Sequence, residues 1–123
     1  MTGSIMYAML GTRPDLAYVV STLSRFNSRP IATHHVAAKR CLRYLQSTKD
    51  FGILLGGTGL PHLLGYTDSD WGNDKDTRRS VGGYVFMLYG GAISWKSKRQ
   101  TVVALSSTKA EYVGCTEAAK EAI

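Results

Sequence analysis

Apolar residues recur at helical spacing through the first half of the chain and in short strand-like runs through the second. Leu16, Val19, Val20, Leu23 and Phe26 fall on one stripe of a helix that Pro14 opens with its fixed φ; Thr12 is placed to cap it and Pro30 to end it. A later helix is expected over residues 34–46, where Ala38, Cys41, Leu42 and Leu45 make one apolar stripe and Lys39, Arg40 and Arg43 fall away from it. The segment GGTGLP at 56–61 then interrupts the helical pattern. Beyond it LLGYTD, GGYVFMLYG and AISWKS are rich in β-branched and aromatic residues and are bounded by glycines, which predicts three strands. Tyr89-Gly90-Gly91 suits a hairpin connection between the second and third. From Ser106 onward, Ala110, Val113, Gly114, Cys115, Ala118, Ala119 and Ala122 make a last helix of small residues able to approach a sheet closely. The pattern divides the chain into a helical segment, 1–57, and a strand-and-helix segment, 60–123, of α+β or α/β class.

Composition adds a direction. With 44% apolar residues, a chain of 123 can build a core that buries about two-thirds of its unfolded surface. Fifteen Lys and Arg against nine Asp and Glu give +6, a balance that favours polyanionic partners. Lys39, Arg40, Arg43, Arg78, Arg79, Lys96, Lys98 and Arg99 are the candidates for phosphate contact, although a solvated face is the commoner reason for such residues. Cys41 and Cys115 lack metal-ligand or redox spacing and read as two small buried residues in a reducing compartment. No run reaches the roughly 18 apolar residues of a membrane span. The start lacks a basic stretch followed by an unbroken apolar one, so the expectation is an intracellular protein, cytoplasmic or nuclear, without membrane contact.

The stretch GYTDSDWGNDKD places Asp68, Asp70, Asp74 and Asp76 within nine positions behind an apolar run. Alternation along a strand sends Leu64, Tyr66, Asp68 and Asp70 to one face. A calcium EF-hand is excluded, because the positions that need Gly and Glu hold Asn73 and Arg79. Asp74 and Asp76 read as turn residues paired with Lys75, Arg78 and Arg79. Asp68 differs, since burying an ionised carboxylate is costly without a cation or donor. Glu111 has two readings. It completes a capping box with Thr108, or it faces the sheet near Asp68 from the same helix edge as Cys115, Ala118 and Ala122. In the second case Asp68 and Glu111, joined by Asp70, would form part of a magnesium shell.

The blocks YTDSDWGNDKDTRRSVGGYVF, GGAISWKSKRQTVVALSST and AEYVG, with upstream GTRPDLAYVVSTLSRF and HHVAAKRCLRYLQSTKDFGI, resemble the polyprotein of copia-type LTR retrotransposons over nearly the whole chain. The resemblance spans the tail of the reverse transcriptase, a connection segment and the beginning of the ribonuclease H domain. It implies a sheet whose first three strands are antiparallel, then a helix, with carboxylates that hold two magnesium ions and hydrolyse the RNA strand of an RNA–DNA hybrid. Asp68 of YTDSD matches the first-strand catalytic aspartate and Glu111 of KAEYVG the first-helix glutamate. Lys109 stands where Glu is usual and Val81-Gly82 where Thr-Ser is common, and neither change removes a ligand. The family's two other carboxylates lie on elements that would follow Ile123. The resemblance therefore implies an incomplete ribonuclease H-like fold, little or no nuclease activity alone, and a free edge along LLGYTD open to self-association.

Two other functions fit parts of the sequence. Arg40-Cys41-Leu42-Arg43 matches the RxLR pattern and is similar to proteins described as secreted RxLR effectors of retroelement origin, but it falls within an amphipathic helix whose Leu42 is expected to be buried. A non-catalytic module that binds an RNA–DNA hybrid or other nucleic acid would use the basic residues named above, with Trp71 and Trp95 as stacking faces.

Overall fold

The computed structural model describes residues 1–56 and 62–123, so most of the expected GGTGLP junction lies outside the described residues. The chain forms two compact units, 1–53 and 54–123.

The first unit is helical: α1 (Thr2–Gly11), a short 3₁₀ turn (Pro14–Leu16), α2 (Ala17–Ser24) and α3 (Ala32–Ser47). Ile5, Leu16, Val20 and Cys41 form its buried centre. Thr12 does not cap the second helix as expected. It closes α1 instead, its N–H donating to the Ala8 carbonyl at 3.1 Å, and Arg13 stands at the start of the 3₁₀ turn. Leu42 is also not buried but 38% exposed. The seam of α3 runs through Ala38 and Cys41 with Leu45 packed alongside, and Leu42 lies about 100° further round the helix from Cys41.

Arg13 binds the turn to the end of α3. Its guanidinium donates to the Thr48 carbonyl at 3.0 Å, to Thr48 Oγ1 at 2.8 Å and to both Asp15 oxygens, at 3.1 and 2.8 Å. Tyr44 donates its hydroxyl to Asp15 at 2.7 Å, and the Arg13 guanidinium lies 5.4 Å from the Tyr44 ring centre. The hydrogen bond from Arg13 holds the Asp15 carboxyl below its ordinary range, and donation to Asp15 holds the Tyr44 hydroxyl above its own.

The second unit is a three-stranded antiparallel sheet with one helix, the α+β arrangement the pattern predicts: β1 (Leu64–Asp70), β2 (Val81–Leu88), β3 (Gly91–Arg99) and α4 (Ser107–Ala122), in strand order β1-β2-β3. Thr67 pairs with Tyr84 and Asp68 with Gly83. Tyr89 and Gly90, at φ 50° and 80°, make a two-residue connection between paired Leu88 and Gly91, the left-handed geometry that matches sheet twist. Gly65 is required by packing, because a Cβ there would come within 2.6 Å of the Phe86 ring. Helix α4 lies on β1 and β2, with Ala110, Gly114 and Ala118 buried. A Cβ on Gly114 would sit 3.5 Å from both Ser69 Cβ and Thr67 Oγ1, so the face of β1 that carries Thr67 and Ser69 is the covered one. Cys115, expected to be buried, is exposed, since it lies one helical step beyond Gly114.

Candidate functional site

The aspartate-rich segment leaves the end of β1 and returns to the start of β2. Asp70 acts as a brace across this turn: Oδ1 accepts from the Val81 N–H at 2.7 Å and Oδ2 from Asn73 Nδ2 at 2.6 Å. Asp74 is buried, 8% exposed, and its Oδ2 accepts from Thr77 Oγ1 and from Arg99 Nη1 of β3. One of its cations therefore comes from a distant strand, a partner that the local run of Lys75, Arg78 and Arg79 does not announce. Trp71 donates its indole N–H to the Ala104 carbonyl at 2.9 Å, yet 57% of its surface remains exposed. Trp95 is half-buried in β3.

Asp68 alternates with Thr67 and Ser69, so its side chain leaves the sheet on the face opposite α4. It is exposed rather than buried, and Oδ1 accepts from the Ser69 N–H at 2.8 Å. Glu111 lies exposed just past the first turn of α4, about 100° round from buried Ala110. The cap of α4 is Ser106, whose Oγ accepts from the Lys109 N–H at 3.2 Å, so the expected Thr108–Glu111 box does not form the helix start. Among the described residues no three His, Cys, Asp or Glu side chains group closely enough to hold a metal ion. Asp68, Asp70 and Glu111 are therefore not brought together as one ligand set.

The basic candidates divide by element. Lys39, Arg40 and Arg43 are exposed on α3. In the second unit Arg78, Lys96 and Lys98 are exposed and Arg79 is half-buried. Arg99 is held by Asp74, and Lys96 lies 3.7 Å from Glu117. Lys120, 3.0 Å from Glu117, together with Lys96 and Lys98, keeps that carboxyl below its ordinary range.

Sequence reasoning passed over Gln100. It is 7% exposed, and its Nε2 donates to Ser69 Oγ at 2.9 Å and to the Ala110 carbonyl at 2.7 Å, joining β1 to α4 from the end of β3. Nothing in KSKRQT marks this glutamine, because its partners lie 31 and 10 residues away.

No protein-family profile and no solved structure matches the chain. Among characterised sequences, it is 53% identical over 121 residues to Secreted RxLR effector protein 161 of Plasmopara viticola, covering 98% of this chain and 85% of that protein. It is 51% identical over 121 residues to the retrovirus-related Pol polyprotein from transposon TNT 1-94 of Nicotiana tabacum, covering 98% of this chain but 9% of the polyprotein. Against the corresponding polyprotein from transposon RE1 of Arabidopsis thaliana the identity is 45% over 112 residues, covering 91% of this chain and 8% of the polyprotein. The chain thus spans under a tenth of the polyproteins it matches. It belongs to the family of transposon-encoded, retrovirus-related Pol polyproteins, as a retroelement-derived fragment.

Proposed function

We propose that residues 64–123 are the opening portion of a ribonuclease H-type fold, and that this chain binds nucleic acid without hydrolysing it. Support comes from three antiparallel strands in order followed by a helix on the sheet, with the motif-matched Asp68 on the first strand and Glu111 near the start of the helix. Magnesium takes near-octahedral oxygen ligation through carboxylates and retained waters. The residues present do not fit such a centre: Asp70 is turned to Val81 and Asn73, Asp68 projects from the face away from α4, and no three acidic side chains group among the described residues. No hydrolytic step is therefore assigned.

What remains is attraction for a polyanion through the exposed bases of α3, of the β1–β2 turn and of β3. An intracellular location, cytoplasmic or nuclear, goes with this reading. The single observation that supports it is that, on a sheet of the expected topology, no three His, Cys, Asp or Glu side chains among the described residues group closely enough for a metal ion. The assay is cleavage of an RNA–DNA hybrid in magnesium by the chain and by Asp68→Asn, alongside hybrid binding across a salt series. Expected are no cleavage by either protein and binding that weakens steeply with salt. Cleavage that Asp68→Asn abolishes would overturn the non-hydrolytic reading, and salt-independent affinity would overturn phosphate contact.

A second reading rests on the relative of comparable length whose name is secreted RxLR effector, because Arg40, Leu42 and Arg43 are all exposed on α3. An encoded leader immediately upstream of Met1 would favour it, whereas a continuous retroelement reading frame there would dismiss it.

A further inference from the structure

A cleft of about 140 Å³ lies between the Val113–Glu117 flank of α4 and the β2–β3 hairpin, distinct from the surfaces that carry Asp68 and Glu111. Its lining includes Gly82, Gly83 and Gly114, which bring backbone rather than side chains to its surface. Tyr84 and Val113 add an aromatic and an aliphatic surface, and Lys96 and Lys98 bring positive charge.

Gln100 also lines this cleft. Its two donated hydrogen bonds, to Ser69 and Ala110, fix which way the amide is turned. The remaining oxygen, Oε1, is buried with no hydrogen-bond partner. A buried carbonyl oxygen without a donor is a cost that folded proteins seldom leave in place. Lys96 and Lys98 alternate along β3 and so share the face that α4 covers. Glu117 partly neutralises Lys96, while Lys98 has no ion pair among the described residues, so the free positive charge centres on Lys98.

We propose that this cleft binds a pyrimidine nucleotide unit: a single flat ring lies against the glycine backbone, its N–H donates to Gln100 Oε1, and its phosphate is held by Lys98 and Lys96. Each feature removes an alternative. A bare anion would leave Oε1 without a donor, an organic cation would meet two lysines, and a narrow cleft floored by glycine backbone suits a single flat ring. The nucleotide can be free or part of a strand, since both offer the same ring and phosphate. The site stands independently of whether the chain cleaves a hybrid.

The test is an amide NMR titration of the whole chain with uridine 5′-monophosphate, inorganic phosphate and a short oligouridylate. The nucleotide should shift the Gln100 side-chain amide and the Gly82, Gly83 and Gly114 backbone signals, and phosphate alone should bind about tenfold more weakly. Lys98→Ala, an exposed change, should weaken nucleotide binding about fivefold. Gly82→Ala should weaken it as well. Its Cβ meets Gln100 Nε2 at 3.6 Å and Gly114 Cα at 3.8 Å, ordinary contacts that the fold tolerates while a methyl enters the cleft. Oligouridylate about tenfold tighter than the mononucleotide identifies the strand as the source, and equal affinity identifies the free nucleotide. Absence of shifts at Gln100 with either nucleotide, or phosphate binding as tightly as the nucleotide, overturns the proposal.

Discussion

The helical unit is tied together by a polar network centred on Arg13, whereas the sheet unit leaves a strand edge open among the described residues and the acceptor Gln100 Oε1 unpaired beside a cleft. In the first, Arg13 is 6% exposed and its donors reach Asp15 and Thr48, while Ile5, Leu16 and Val20 are almost fully buried beside it. In the second, the buried apolar set is Phe86, Ala104, Ala110 and Ala118, and Ser69, Asp74, Ser80 and Gln100 are buried with it. Among the described residues strand β1 has a neighbour on one side only, and Leu64 and Tyr66 stand exposed along it. The lesson is physical. A network that spends its donors on its own unit offers stability and little chemistry, while a spare edge and a spare acceptor beside a cleft are where binding is to be sought.

The contrast breaks first at Arg13. Replacing it by Ala strands the buried Thr48 carbonyl, while exposed Asp15 keeps its bond from Tyr44, and denaturant unfolding should show a loss of about 1–3 kcal/mol in the helical unit. A loss below about 0.5 kcal/mol would mean the network is decorative. Next comes Gly65→Ala, which forces Phe86 from its place and should cost the sheet unit about 1–3 kcal/mol by the same measurement.

Protonation sharpens the same comparison. The folded Asp15 carboxyl is held below its unfolded value of about 3.9, so its contribution is complete above that pH and is lost as pH falls through the lower folded value. The Tyr44 hydroxyl is held above its unfolded value of about 10, so its contribution is complete below that pH and is lost as pH rises through the folded value. Unfolding followed across pH should show the helical unit weakening at both extremes, and Asp15→Asn should flatten its acid limb. Smallest is Tyr89→Asn. A residue more tolerant of φ 50° at the hairpin should raise sheet-unit stability by about 0.5 kcal/mol, and a fall would remove strain from the account of this turn.

Much of this was legible in the residues. Period and glycine punctuation located the three strands, the hairpin and the last helix, because those signals are local. What failed depended on packing between elements. The run SST offers three capable caps, and the helix begins near Ser106 as expected, but Ser106 rather than Thr108 is the one that caps it. Leu42 and Cys115 sit one helical step from a buried seam, a displacement that a stripe drawn from sequence does not resolve. The Asp74–Arg99 pair and the Gln100 hub join residues 25 and 31 apart, so neither has a local signature. Alternation put Asp68 with Tyr66 and Asp70, but which face α4 would cover was set by the close approach of Gly114 to Thr67 and Ser69.

That face bears on the central proposal, that this sheet has the expected topology without a working metal cage. The direct measurement is a magnesium titration followed through the side-chain carboxyl resonances of Asp68, Asp70 and Glu111. Small, unsaturated and mutually independent shifts into the millimolar range are expected. A single saturating transition shared by Asp68 and Glu111 would contradict the account.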